Sequence, residues 1–346
     1  MRNLYDSLVR PFIFLSSPEM GHRIAIYSFK QRWFWELLAW HFRVDDDRFI
    51  VSSGEVRLSN PFGLAAGFDK NCEMFESLSA LGFGYLTLGS VTLNPREGNP
   101  KPRIWRYPNE SLVNSMGLPN DGAYRISERL ASTNRRVAPL ILSISGMSLE
   151  EFSDCYLRLQ EHADAIELNI STPNTAGVRI FQDPDTFAKL LDTVMTRRRD
   201  NKPVWVKLPP YFDEKTRENV LELVNTCIRK SVKAITSINT KLVKESRASI
   251  GTAGVSGKEI FADMLRIVSD IYTHTDGKIS INACGGIFSA EDAWKAFQAG
   301  ATTIQLYTGF VYRGPSIVVN LKRQLLKFLE KDGYESITDV IGKVHK

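Results

Sequence analysis

Carboxamides stand where apolar runs of this chain end. Asn169 and Asn174 fall in Asn169-Ile170-Ser171-Thr172-Pro173-Asn174-Thr175, and Asn239 closes Ser237-Ile238-Asn239-Thr240. Each amide offers two donors and an acceptor, the equipment for reading a planar ligand edged with ring amides and carbonyls. Lys207 ends a further apolar run and adds a cation. Such a lysine is either a snorkelling surface side chain or a functional group, and at the C-terminal end of a barrel strand the functional role is favoured. Three glycine-bearing turns follow later runs: Gly251-Thr252-Ala253-Gly254-Val255-Ser256-Gly257, Ala283-Cys284-Gly285-Gly286-Ile287 and Tyr307-Thr308-Gly309-Phe310. Any one of them is an ordinary tight turn, whereas three neighbouring ones suit a phosphate held by backbone N–H groups. The chain carries no H-E-x-x-H element, no Ser-His-Asp motif and no motif of paired carboxylates, so hydrolytic and metal chemistry are disfavoured and no metal site is expected. Side chains this poor in acids and bases imply a cofactor that does the hard chemistry.

The elements that must position these groups alternate along the chain. Short apolar or β-branched runs at 62–66, 85–89, 140–144, 165–170, 204–208, 233–238, 278–283 and 303–307 are separated by segments of helical period, among them 149–163, 214–230, 290–299 and 316–331. Eight such alternations predict an α/β fold of the (β/α)8 TIM-barrel type, with chemistry gathered at the C-terminal ends of the strands. An open doubly wound sheet is the alternative, but its usual G-x-G-x-x-G turn after the first strand is absent. Residues 1–45 stand outside the alternation as a helical extension, leaving 46–346 for the barrel. Two helices are expected in it, at 4–15 and 20–41, separated by Ser16-Ser17-Pro18. The second carries Trp33, Trp35 and Trp40 between Arg32 and Arg43, a pattern that suits a helix pair lying in lipid headgroups. Aromatics capping the barrel bottom as ordinary core would look the same.

A chain of 346 residues with 43% hydrophobic content is long enough for one barrel or two smaller domains. Its formal net charge of +5 is spread along the chain, with only Arg197 to Arg199 forming a run, so nucleic-acid binding is not expected. Cys72, Cys155, Cys227 and Cys284 are far apart and form no C-x-x-C pair, which fits a reducing compartment. No stretch reaches the ~18 apolar residues of a bilayer span. A membrane contact would therefore be peripheral.

Asn60-Pro61-Phe62-Gly63-Leu64-Ala65-Ala66-Gly67-Phe68-Asp69-Lys70, Gly89-Ser90-Val91-Thr92 and Gly98-Asn99-Pro100-Lys101-Pro102-Arg103 resemble the dihydroorotate dehydrogenases. So do Asn169 to Gly177, the Asn239-Thr240 pair, Gly285-Gly286 and Tyr307-Thr308, in order through nearly the whole chain. The resemblance implies oxidation of dihydroorotate to orotate in pyrimidine biosynthesis, with a proton leaving C5 while hydride passes from C6 to N5 of FMN. It implies that Ala65, Ala66, Gly67, Ser90, Ser143, Asn169, Lys207, Ser256, Gly257, Gly285, Gly286, Tyr307 and Thr308 hold FMN. It gives Lys70, Asn114, Asn169, Asn174, Asn239 and Thr240 to the substrate. Lys207 falls where the family places a cation near the flavin N1 and O2 edge, a charge that stabilises the reduced anionic flavin.

The family divides into a membrane-associated class that uses quinone and a cytosolic class that uses fumarate or NAD. The N-terminal helices, His22 within Gly21-His22-Arg23, and Arg106 resemble the quinone class and imply a quinone site. They also imply peripheral attachment at the cytoplasmic face of the inner or cell membrane. Asn114-Ser115-Met116-Gly117-Leu118-Pro119-Asn120 and Ser143-Ile144-Ser145-Gly146-Met147-Ser148 resemble the cytosolic class instead, which leaves a soluble acceptor such as fumarate as the alternative. Thr172 departs from both, since it stands where the quinone class has a serine base and the cytosolic class a cysteine. A threonine keeps the hydroxyl, so proton removal through a water relay is expected, and its methyl restricts χ1. Action on a different dihydropyrimidine is the competing enzymatic expectation. FMN held only as a structural ligand is the non-enzymatic one.

Overall fold

The computed structural model describes residues 5–133, 138–173 and 175–345. Asn174, one of the expected substrate ligands, lies outside the described residues. Eight parallel strands close into a barrel: β1 (Phe62–Leu64), β2 (Tyr85–Val91), β3 (Leu140–Ile144), β4 (Ala165–Asn169), β5 (Val204–Lys207), β6 (Ala234–Thr236), β7 (Ser280–Cys284) and β8 (Thr303–Leu306). Each falls where the alternation puts it, and the open sheet is excluded because β8 pairs back onto β1 through Ile304 and Phe62. Parallel strands covered on both faces need apolar residues throughout, and every residue of β1 to β6 is buried. The intervening helices begin on matched caps. Ser148 accepts from the N–H of Glu151, and Asp213 and Ser289 form reciprocal capping boxes with Thr216 and Asp292.

The barrel interior is more polar than the branched aliphatic layers usual for this architecture. Thr236 donates to Glu167 at 2.6 Å, Thr303 to Asn282 at 2.7 Å, and Tyr85 shares a hydrogen with Thr303 at 2.7 Å. The Tyr85 ring fills the space over Gly63, where an added Cβ would come within 2.2 Å of Cζ. A hairpin of Val51–Ser53 and Val56–Leu58 plugs the N-terminal end, with Ser53 donating to Asn282 at 2.8 Å.

The N-terminal region differs from the two helices expected. A π-type turn, Tyr5–Val9, leads into α1 (Arg10–Leu15), and the second segment is broken into α2 (Pro18–Phe29) and α3 (Arg32–Leu38). At Gln31 the backbone leaves the helical region with ψ 69°. The break lets Trp35 fold back, stacking on Phe29 at 4.6 Å and donating Nε1–H to Ser28 O at 2.9 Å. Phe29 packs on Phe68 and Phe310 beside the mouth, while Gly82, close to the barrel bottom, lies against Phe42. The aromatics thus run down one side wall, and the barrel bottom is closed by the hairpin. Phe12, Leu15, Tyr27, Trp33, Leu37 and Trp40 remain more than half exposed.

Candidate active site at the barrel mouth

An antiparallel sheet of Lys241–Lys244, Thr252–Gly257, Ser111–Asn114 and Ile104–Tyr107 folds over the C-terminal ends of the barrel strands. The glycine-rich stretch 251–257, expected as a turn opening a helix, is mostly a strand of this sheet. Pairing with both neighbours overrides the weak strand preference of its glycines, and only Gly257, at φ +96°, makes the turn toward the helix Phe261–Thr275.

Beneath the sheet lies a cavity at the mouth. Its walls include Ala65, Ala66, Gly67, Lys70, Ser90 and Asn114, then Asn169, Thr172, Lys207, Asn239 and Thr240, and finally Ser256, Gly257, Gly285, Gly286, Tyr307 and Thr308. These come from seven strand ends and the covering sheet. Ser143 is the expected member that does not reach it. It is fully buried behind Ser90 and shares a hydrogen with the Ser90 hydroxyl at 2.9 Å. His22 and Arg106 lie apart from this cavity, against the N-terminal helices.

One end of the cavity is built for an anion. Gly285 and Gly286 adopt φ +129° and +74°, and their backbone N–H groups make no hydrogen bond to the described residues. A Cβ on Gly286 would lie 2.5 Å from Phe261 Cβ, and one on Gly309 2.2 Å from Ile287 O, so only glycine lets these turns approach the helix starts. Ser256 and Thr308 add hydroxyls, 2.9 Å apart. The donor set, with helix N-termini behind it, fits a phosphate.

At the other end the amides are wired together. Asn169 donates to Ser90 Oγ at 2.8 Å and to Thr172 Oγ1 at 3.2 Å, and its oxygen accepts from Ser171 N–H at 3.2 Å and Ser171 Oγ–H at 3.0 Å. Asn239 donates to Ser171 at 3.0 Å and accepts from Thr240 N–H at 2.8 Å. Ser171 therefore holds two of the expected ligands in place, a role invisible in the motif because its partner Asn239 is remote in sequence. Thr172 is buried, receives the Asn169 N–H, and keeps its own O–H for another acceptor. The Thr175 hydroxyl is likewise buried and has no partner among the described residues.

Lys207 is 5% exposed, with Nζ 3.8 Å from Cys284 Sγ. Burial pushes the Cys284 thiol up against the opposing charge of Lys207. Lys70 donates to Gly67 O, and burial, reinforced by nearby Arg103, lowers it to about 8. Met116, Gly117 and Leu118 line the cavity too. Their sequence gives a clue to subclass only, and the turn that brings them over the mouth is tertiary.

A second, apolar cavity of about 720 Å³ lies between α1, α2, α3 and the barrel. It shares Ile104, Leu112 and Tyr307 with the first, so one wall separates the two. Arg106 sits on it, donating to Phe14 O at 3.0 Å and Ser16 O at 2.8 Å, its guanidinium over the Phe14 ring. His22, pushed down to about 3 by burial and then by Lys70, faces it as a neutral ring.

A closed (β/α)8 barrel with an anion cradle and an amide-lined pocket at its mouth defines a cofactor-dependent barrel enzyme. The family model "Dihydroorotate dehydrogenase" matches residues 51–329, and the chain belongs to that family. It is 33% identical to the mitochondrial dihydroorotate dehydrogenase (quinone) of Arabidopsis thaliana, covering 98% of this chain and 81% of the relative. It is 36% identical to the dihydroorotate dehydrogenase (quinone) of Natronomonas pharaonis, over 97% and 98%. Among solved structures, DHODH from Eimeria tenella in complex with ferulenol superposes with a TM-score of 0.83 at 25% identity, covering 98% of this chain and 99% of that one.

Proposed function

We propose that this chain oxidises dihydroorotate to orotate with a bound FMN and passes the electrons to a quinone. The observation that carries the proposal is the pair of cavities sharing Ile104, Leu112 and Tyr307, one edged with amides and hydroxyls at the strand ends and one apolar beneath the N-terminal helices. A water-soluble reductant and a lipid-soluble acceptor need such opposite surroundings on the two sides of one redox centre.

In this reading Gly257, Gly285, Gly286 and Thr308 hold the FMN phosphate, and Ala65, Ala66, Gly67, Ser90 and Tyr307 enclose the rest. FMN, when bound, supplies the acceptor for the hydride that leaves C6. Thr172 takes the C5 proton while passing its own to water, and the Asn169 N–H steadies the Thr172 oxygen as its proton leaves. Lys207 places a buried cation where negative charge develops. Asn114, Asn239 and Thr240 read the ring amides, and Lys70 faces the carboxylate. Arg106 and neutral His22 border the quinone cavity. Residues 1–45 form a separate functional unit that rests peripherally on the membrane through Phe12, Leu15, Tyr27, Trp33, Leu37 and Trp40. No helix among the described residues is long and apolar enough to cross a bilayer.

Anaerobic mixing of the yellow holoenzyme with dihydroorotate tests the proposal, and the expected result is bleaching of the flavin followed by reoxidation on adding quinone. Flavin that no dihydropyrimidine bleaches, or fumarate turnover in place of quinone turnover, overturns it. A pH titration adds a second check. Lys70 is charged below about 8 and neutral above it, so orotate affinity should hold steady up to that pH and then weaken, approaching about tenfold per further pH unit. Lys70→Met should bind orotate weakly with that dependence gone. An unaltered pH profile in the variant would remove Lys70 from the site.

A further inference from the structure

A third chamber, of about 370 Å³, opens on the opposite side of Lys70 from the amide pocket. It shares Lys70, Ile104 and Met116 with the catalytic cavity, so the two adjoin at Lys70. Its charges are unevenly matched. Asp69 accepts from the backbone N–H groups of Glu73 and Met74 at 3.0 and 2.8 Å, Glu73 pairs with Lys30 at 3.0 Å, and Asp121 pairs with Arg129 at 3.0 Å. Glu19 accepts from the Arg103 backbone N–H at 2.7 Å. The acids are thus engaged, apart from Glu97.

The cations of the chamber are in no ion pair among the described residues. Arg23, Lys101 and Arg125 stand exposed at the rim and form no ion pair among the described residues. Deeper in, Arg96 reaches only Gly117 O at 3.4 Å and Met147 Sδ at 3.3 Å, and Arg103 donates to the Glu97 and Asn99 carbonyls at 2.8 and 3.0 Å. Positive charge continues from the rim to Lys70 beside the amide pocket.

α2 separates this chamber from the apolar cavity. Glu19, Arg23 and Ile26 face the charged side, Gly21, Ala25 and Phe29 the apolar side, as helical periodicity requires, and His22 borders both. Burial keeps that histidine neutral, so α2 itself adds no charge to the apolar side.

We infer that the charged chamber is the entrance by which the substrate carboxylate reaches the catalytic pocket, drawn in by the cations at its rim and handed to Lys70. The inference rests on the function proposed above. A cleft walled by protein whose unpaired charge is mainly of one sign focuses its field and raises the arrival rate of oppositely charged ligands. Reduced substrate and quinone then approach by routes that α2 keeps apart.

The test uses holoenzyme and orotate, with the association rate read by stopped flow from the flavin absorbance. Lys101→Glu combined with Arg125→Glu should lower that rate by about tenfold at low salt, and the difference should close near ~1 M salt, where charges are screened beyond about 3 Å. Both side chains are exposed, so flavin content and quinone KM should stay at their starting values. Lys189→Glu, on the outer helix Pro184–Thr196, should leave the rate unchanged. An association rate insensitive to the rim reversals, or lowered as much by Lys189→Glu, overturns the inference while leaving the proposed reaction standing. Absence of any orotate binding in the unaltered holoenzyme overturns both.

Discussion

Thr172→Ala should slow reduction of the bound flavin by dihydroorotate by ~10²–10⁴-fold while orotate affinity stays near that of the unaltered enzyme. The split follows from the geometry. Thr172 Oγ1 is buried at the end of β4 and, among the described residues, touches the amide network only by accepting one Asn169 N–H at 3.2 Å. Asn169 keeps its bonds to Ser90 and Ser171 without it, so the pocket that reads the ligand survives. What is lost is a hydroxyl able to take a proton and pass another on. Thr172→Ser should retain most of the rate, because the oxygen remains and only the methyl restraint on χ1 goes. Single-turnover absorbance of the flavin after anaerobic mixing measures the rate, and equilibrium titration with orotate measures the affinity. A flavin reduced at full speed in the alanine variant would assign proton removal to another group.

Ala25→Phe should abolish quinone turnover and leave flavin reduction by dihydroorotate intact. Ala25 lies on α2 facing the apolar cavity, so a phenyl ring there occupies the space an acceptor would need. Helix propensity changes by only a few tenths of a kcal/mol, and an apolar ring entering an apolar void carries no desolvation penalty. The variant is a sharper probe than deleting residues 1–45. Deletion would strip the buried Phe29, Trp35 and Phe42 from Phe68, Phe310 and their neighbours and expose that core. Quinone turnover that persists in Ala25→Phe would place the acceptor elsewhere.

The stretch from Asn169 to Thr175 stood out in the sequence because its polar residues are contiguous at one strand end, and Asn169 and Thr172 both line the mouth cavity. Their wiring did not stand out. Asn239 meets Ser171 across sixty-eight positions of sequence, and Ser143 turns out to stand behind Ser90 because β2 and β3 are neighbours whose side chains fill successive depths of the barrel.

The sequence by itself determined the eightfold alternation, the strand ends where polar groups gather and the glycines of the anion cradle. Each is a local property: a period along the chain, a switch from apolar to amide, or a backbone conformation that a side chain forbids. Only the tertiary structure decided that 251–257 pairs as a strand over the mouth, that α2 and α3 part at Gln31, and that α2 walls a charged chamber off from an apolar one. Those outcomes depend on which remote surfaces meet. Hydrogen bonds to Leu112 and Asn114 claim the glycine-rich segment, Phe29 claims Trp35, and the two faces of one helix take their character from the walls opposite them.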